Sequence, residues 1–373
     1  MLGLSMRPQV SFSVLVFTLL LAAFAAIRCA ALPGWPPPQE VTLSDEDLLL
    51  NDPYTGHFHS RFWYFNVVLR DGTDLALSLF RWRYGMLGGE GLTVICAETD
   101  GRTYALETKL DDLEASADRL SYRFGQSLLE GDRQGTRIHL RLPDFSCDLE
   151  VRNLLNPWKP DDGYLYLSRR RDVYTRLSVI SPFAEVSGGL EVNGSFRLVD
   201  GWCYADRGVI SAPVSRFNPE QSTFRAFGPA GQGEPWMLSV SESATHRAYG
   251  SRREATLLLA RGGEWLMATP DYDFRAEEIR REAGTPFAFP HRFRVRARQN
   301  GRTLEGEFSV SRLFYIHDIL GRLPRGLRSI AEALVRRPVI FRLKGGFSGT
   351  LEEADGSRVD LELPAQGEYQ LMR

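Results

Sequence analysis

The chain is expected to be all-β, built from antiparallel meanders that close into barrels or sandwiches, and three observations carry that expectation. Asp-Gly or Asn-Gly dipeptides punctuate it at Asp71-Gly72, Asp100-Gly101, Asn193-Gly194, Asn300-Gly301 and Asp355-Gly356. Such pairs supply the positive φ angles of tight type I′ hairpin turns. The apolar residues around them alternate with a period of two, the mark of strands that bury one face, and helical periodicity is almost absent. Turns of this kind, spread over so long a chain, join antiparallel neighbours into closed or stacked sheets.

The N-terminal segment is set apart from this pattern. After Arg7 an uncharged apolar run over residues 10–27 leads through Arg28 and Cys29 to Ala30 and Ala31. A basic start, an apolar middle and small residues at the end read as an export signal over residues 1–31. The run is also just long enough to cross a bilayer, so an uncleaved anchor is the alternative. Either reading places the protein outside the cytoplasm, in the periplasm or cell envelope. Cys96, Cys147 and Cys203 then remain, an odd number that permits at most one disulfide, with no CxxC spacing for zinc. Residues 33–38, rich in proline around Trp35, read as a stiff linker.

The strands follow. Trp63, Phe65 and Val67 alternate with Tyr64, Asn66 and Val68, the chain reverses at Asp71-Gly72, and Leu75, Leu77 and Leu79 return. Similar alternation marks residues 136–142, 293–298, 304–310 and 359–363. The length of 373 residues suits two domains, expected over 32–200 and 201–373. One short helix is expected near the C-terminus, over 325–337, where Leu327, Ile330, Leu334 and Val335 fall at helical spacing and Pro338 ends the pattern. Its arginines suit either a solvated helix packed on a barrel or a basic helix lying on an anionic membrane surface.

Composition excludes several function classes. With 45 basic against 47 acidic residues and a net charge of −2, the chain lacks the positive field a nucleic-acid binder needs. All the basic residues except Lys109, Lys159 and Lys344 are arginine, which reads as a compositional bias of the coding genome. No HExxH, GxSxG, P-loop or complete GxGxxG motif is present. The histidines form no ligand-spaced cluster beyond His57-x-His59, and no metal or cofactor is expected. His317-Asp318 suits either an acid/base pair or, with Asp318 as the cap, the start of the expected helix.

Two clusters carry candidate chemistry. The first is the aromatic strand Arg61-Phe62-Trp63-Tyr64-Phe65; the second is Gly201-Trp202-Cys203-Tyr204-Ala205-Asp206-Arg207, a carboxylate set among aromatic rings beside a guanidinium. Here the chain resembles the two-domain lipocalin-like superfamily of acyclic carotenoid hydratases, AttH-like proteins, tocopherol cyclases and fungal Diels–Alderases. That group opens on a Glu-Trp-Trp-Tyr-Phe strand, of which residues 63–65 keep the last three positions. It carries a central aromatic-x-Asp-[His or Arg]-x-Trp element like Tyr204-Ala205-Asp206-Arg207, and endings like residues 336–342 and 367–372. Arg61 stands where the group has Glu, Phe62 where it has Trp, Arg207 where the hydratases have His, and Val209 where a Trp is usual.

The resemblance implies two consecutive antiparallel lipocalin-like barrels, with a cavity that binds, and in an enzyme transforms, an isoprenoid, carotenoid-like or lipid molecule by acid-promoted hydration or cyclisation. Asp206 is then the candidate acid, with Tyr204 and Arg207 beside it. A carboxyl in apolar surroundings holds its proton near neutral pH, and aromatic faces stabilise a cation. The candidate ligand-binding residues are Trp63, Tyr64, Trp82, Trp202 and His246. The cluster equally suits an ion pair that fixes a junction between domains, and the aromatic strand suits ordinary core packing. A monomer is expected. The reading from another class is a non-catalytic envelope-associated interaction protein that uses its loops or the basic helix.

Overall fold

The computed structural model describes residues 47, 58–84, 87–116, 119–160, 162–166, 171, 173–211, 220–230, 233–245, 247–249, 251, 253–282, 285–318 and 338–372, and among these nearly every ordered element is an antiparallel strand. The first sheet holds β1 (Phe58–Leu69), β2 (Asp74–Tyr84), β3 (Leu87–Ala97), β4 (Thr103–Leu110), β5 (Glu114–Ala115), β6 (Leu120–Phe124), β7 (Ser127–Gly131), β8 (Gly135–Leu142), β9 (Phe145–Asn153), β10 (Tyr164–Tyr166), β11 (Tyr174–Val192) and β12 (Ser195–Ile210). The second holds β13 (Glu220–Pro229), β14 (Pro235–Ala244), β15 (Arg253–Arg261), β16 (Glu264–Thr269), β17 (Tyr272–Glu277), β20 (Arg292–Gln299), β21 (Arg302–Asp318), β22 (Pro338–Glu352) and β23 (Arg358–Met372), while the short β18 (Arg280–Arg281) and β19 (Ala288–Phe289) pair with each other. The fold is therefore all-β, as expected. The strand β12 runs across residue 200, where the sequence suggested a division, and lies wholly in the first sheet. The signal segment and the helix expected over 325–337 lie outside the described residues.

Both sheets are wired alike. In the first, the order is β4-β3-β2-β1-β12-β11-β9-β8-β7-β6-β5; in the second, β16-β15-β14-β13-β23-β22-β21-β20-β17. In each, the first strand pairs with the last, so the chain leaves along one edge and returns from the other. Strand alternation then gives every central strand two faces. Trp63, Phe65, Val67, Leu77 and Ala205 line the inside of the first sheet, and Phe224, Leu238, Val240, Phe308 and Phe347 the inside of the second. The second interior is filled by aromatic stacking, with Phe308 centred 5.2 Å from Phe224 and 5.8 Å from Phe293. The opposite faces of β1, β11 and β12 pack against those of β13, β14 and β15 through an apolar cluster that includes Val68, Phe183, Trp202, Phe227, Met237 and Leu258.

All five Asp-Gly and Asn-Gly turns close hairpins, in two ways. At Asn193-Gly194 and Asn300-Gly301 both residues have positive φ (51° and 78°, 52° and 78°), as a type I′ turn requires. At the three Asp-Gly sites only the glycine does, with φ of 84° at Gly72, 98° at Gly101 and 83° at Gly356. There the aspartate does not take a positive φ and its carboxylate accepts a backbone N–H two residues on, at 2.8 Å from Thr73, 2.9 Å from Arg102 and 2.9 Å from Ser357. The expectation of type I′ throughout is thus corrected: Asn tolerates the left-handed region, and Asp gains more from the local hydrogen bond. The three cysteines form no disulfide, and all are buried. Burial pushes the Cys96 and Cys147 thiols up to about 12, which leaves them chemically inert.

Candidate active site between the sheets

Where the outer faces of the two sheets separate, they leave a partly open cavity of about 370 Å³, within the range of roughly 300–1,000 Å³ typical of small-molecule pockets. Its walls differ. From the first sheet come Phe62, Tyr64, Leu177, Val179, Tyr204 and Asp206, with Trp158 beside them. From the second come the alternate residues Gln221, Thr223 and Arg225 of β13, Ser239, Ser241 and Ser243 of β14, and Arg342 and Glu368 of β22 and β23. These polar positions alternate with the apolar core residues of their strands, so the period of two that buries Phe224 and Val240 turns Thr223 and Ser241 toward the cavity.

Asp206 is 6% exposed. Its carboxyl is raised to about 6, first by burial, with the Arg225 guanidinium and a hydrogen bond donated by the Tyr204 hydroxyl pulling the other way. Arg225 Nη2 lies 3.4 Å from Asp206 Oδ2, at the long limit of a hydrogen bond. The guanidinium is stacked, with its carbon 4.0 Å from the Tyr204 ring centre and 5.4 Å from that of Tyr64. Arg342 lies 5.0 Å from the Tyr64 centre, donates to the Tyr64 hydroxyl at 2.6 Å, and pairs with Glu368. The Tyr64 and Tyr204 rings, which the sequence offered as faces for a ligand cation, are therefore already occupied by two protein cations.

Local backbone features open this site. Opposite Asp206, β11 carries register shifts between Val179 and Ser181 and between Ser181 and Ala184, around Pro182, which has no N–H to offer the ladder. On β12, a Cβ at Gly208 would fall 2.1 Å from the Phe62 ring. Glycine there lets that ring lie across the strand and form the wall.

The sequence candidates separate onto the two sides of the first sheet. Asp206, Tyr204 and Tyr64 meet in the cavity. Arg207 points the other way, 2% exposed, into the first sheet's interior, where it lies 6.0 Å from the Trp63 ring centre and donates to the Asp47 carbonyl at 2.7 Å. It is not the partner of Asp206, and Trp63, packed in the same core beside Tyr122, does not line the cavity. Both placements follow from strand alternation. Trp202 shares the face of Asp206 but is buried in the apolar cluster beneath Arg70, and Trp82 is half-buried beside Gly89; neither lines the cavity. His246 lies outside the described residues. His317 reaches Glu107 at 3.4 Å, and Asp318 is the last residue of a strand. Among the described residues no group of His, Cys, Asp and Glu is placed to hold a metal ion, and no helix is long and apolar enough to cross a membrane. Arg225 escaped the sequence reading, and Arg342 and Glu368 entered it only inside the family-like endings 336–342 and 367–372, with no role assigned.

No family sequence model matches the chain, and no curated protein sequence does. Solved structures do. CghA, solved with Sch210972, aligns over 93% of this chain and 97% of its own with a TM-score of 0.64 at 12% identity. An AttH-type protein from Nitrosomonas europaea aligns over 91% and 99% with a TM-score of 0.57 at 13% identity. Kievitone hydratase from Nectria haematococca aligns over 90% and 98% with a TM-score of 0.54 at 10% identity. The chain shares their fold. The lipocalin-like all-β fold implied by residues 63–65 and 204–207 is thereby established across almost the whole chain, and the cavity and its charged groups lie between the two sheets.

Proposed function

We infer that this protein binds a hydrophobic small molecule between its two sheets and that Asp206 gives it a proton. The observation that carries the reading is a carboxyl raised to about 6 inside a partly open cavity with an apolar wall. An acid in that state is protonated in a useful fraction near neutral pH and strong enough to donate. One structural neighbour was solved with the compound Sch210972 and another is named a hydratase, which supports a cavity that holds a small molecule and a reaction of the hydration type. In a hydration, the Asp206 proton goes to one carbon of a double bond, water oxygen bonds to the other, and the water's proton returns to the Asp206 carboxylate.

Extraction of the purified protein with organic solvent, followed by mass spectrometry, tests binding: a co-purifying lipophile is expected, and Phe62→Trp, which fills the cavity, should lose it. Asp206→Asn is expected to keep the lipophile and abolish its turnover; full turnover in that variant sinks the acid role. Export by residues 1–31 belongs to the same reading and predicts a mature chain beginning near Leu32 in the envelope fraction.

A further inference from the structure

Arg225 is 9% exposed, lines the cavity, and its Nε finds no acceptor among the described residues. Its contact with Asp206, at 3.4 Å, is long. Tyr204 and Tyr64 cover its faces, which directs its remaining donors edge-on. A desolvated guanidinium with an unused donor is costly unless an acceptor arrives. Around it the second sheet presents hydroxyl and amide groups: Gln221 Nε2 donates to Thr223 Oγ1 at 3.4 Å, and Thr223 Oγ1 lies 3.2 Å from Ser241 Oγ. A pure hydrocarbon would strip water from this wall and return nothing.

We propose that the ligand is an oxygenated amphiphile, of the conjugated carbonyl class, whose carbonyl oxygen accepts from Arg225 while its carbon skeleton lies on Phe62, Leu177 and Val179. This rests on the reading of the cavity as a ligand site and narrows it away from hydrocarbon isoprenoids. Two fixed guanidiniums beside the acid disfavour a carbocation and favour charge building on oxygen. In a conjugate hydration, water oxygen bonds to the β-carbon and the carbon–carbon π pair moves to form an enolate oxygen held by Arg225. Asp206 then protonates the α-carbon as the carbonyl re-forms, and the proton lost by the water restores the Asp206 carboxyl.

The test uses a matched pair of probes, chalcone and its deoxygenated analogue diphenylpropene, titrated against the full chain by tryptophan fluorescence. Chalcone is expected to bind about tenfold more tightly, the effect of one hydrogen bond to a charged group. Arg225→Met should erase the difference, and Arg225→Lys, which keeps the cation but lacks Nε, should reduce it. If Met at this position prevents folding, Lys alone carries the comparison. The carbonyl stretch of bound chalcone should shift down in the native chain and return in the variants. Equal affinity for the two probes overturns this proposal and leaves the ligand site standing. Absence of binding by both overturns the site and the proposal together.

Discussion

At Asp206 two opposing effects meet, and their balance decides what the residue can do. Adjacency to Arg207 in sequence suggests a lowered carboxyl, yet the strand sends Arg207 to the other face, and the real cation, Arg225, arrives from the second sheet. Burial outweighs it, so the folded value of about 6 lies above the unfolded one. A raised acid binds its proton more tightly when folded, so its contribution is fully present below about pH 4 and is lost as pH rises through about 6. The swing is about 3 kcal/mol. Asp206→Asn removes it: from pH 4 to pH 6.5 or so, denaturant titrations should show the variant gaining about that much stability relative to the native chain, and a constant difference would refute the assignment. Tyr204→Phe deletes the donor that favours the carboxylate and should move the midpoint of any Asp206-dependent rate above about 6. Asp206 and Tyr204 were legible because they sit together on one strand. Arg225 and Arg342 were not, because the contact that gives them meaning joins strands of different sheets.

The elements themselves were legible wherever a turn carried its own chemistry. All five Gly turns stand where the dipeptides put them, and the strand alternation of residues 62–84 became β1 and β2 with the expected split between faces. What local pattern does not encode is which face meets water and which meets the other sheet: Ser239, Ser241 and Ser243 hold the polar positions of an alternating strand, and they line the cavity. The turns also permit a clean comparison. At Gly194, φ is +78° and a Cβ would meet nothing within 4 Å, so Gly194→Ala should cost only left-handed strain, about 1 kcal/mol. At Gly72, φ is +84° and the Cβ would fall 2.9 Å from Thr99 Cγ2, which adds a clash. Urea midpoints should therefore order native, Gly194→Ala, then Gly72→Ala; equal losses would show that Thr99 yields freely.

For the molecule as a whole, the cavity exists because the sheets are locked beside it by buried polar contacts. Asp74, 2% exposed, meets Lys344 of the second sheet at 2.8 Å and accepts from Gln366 Nε2 at 2.8 Å. Gln366 also donates to the Val67 carbonyl at 2.8 Å, and Arg312 to that of Glu98 at 3.2 Å. Burial raises the Asp74 carboxyl while Lys344 and Gln366 hold it down. Lys344→Met leaves a carboxylate at the junction without its cation, a loss of about 3 kcal/mol or more near neutral pH. Asp74 then escapes by taking a proton, so its folded pKa rises further in the variant. A more strongly raised acid loses more stability as pH increases, so the deficit should be small at about pH 4 and grow toward about pH 7. Adding Asp74→Asn to Lys344→Met removes the stranded charge and should recover most of the loss at neutral pH and little at acid pH. Since both sheets close the cavity, ligand affinity should fall along with stability in Lys344→Met and return in the double variant. A deficit independent of pH, or affinity that ignores the repair, would mean that this junction does not hold the two walls in place.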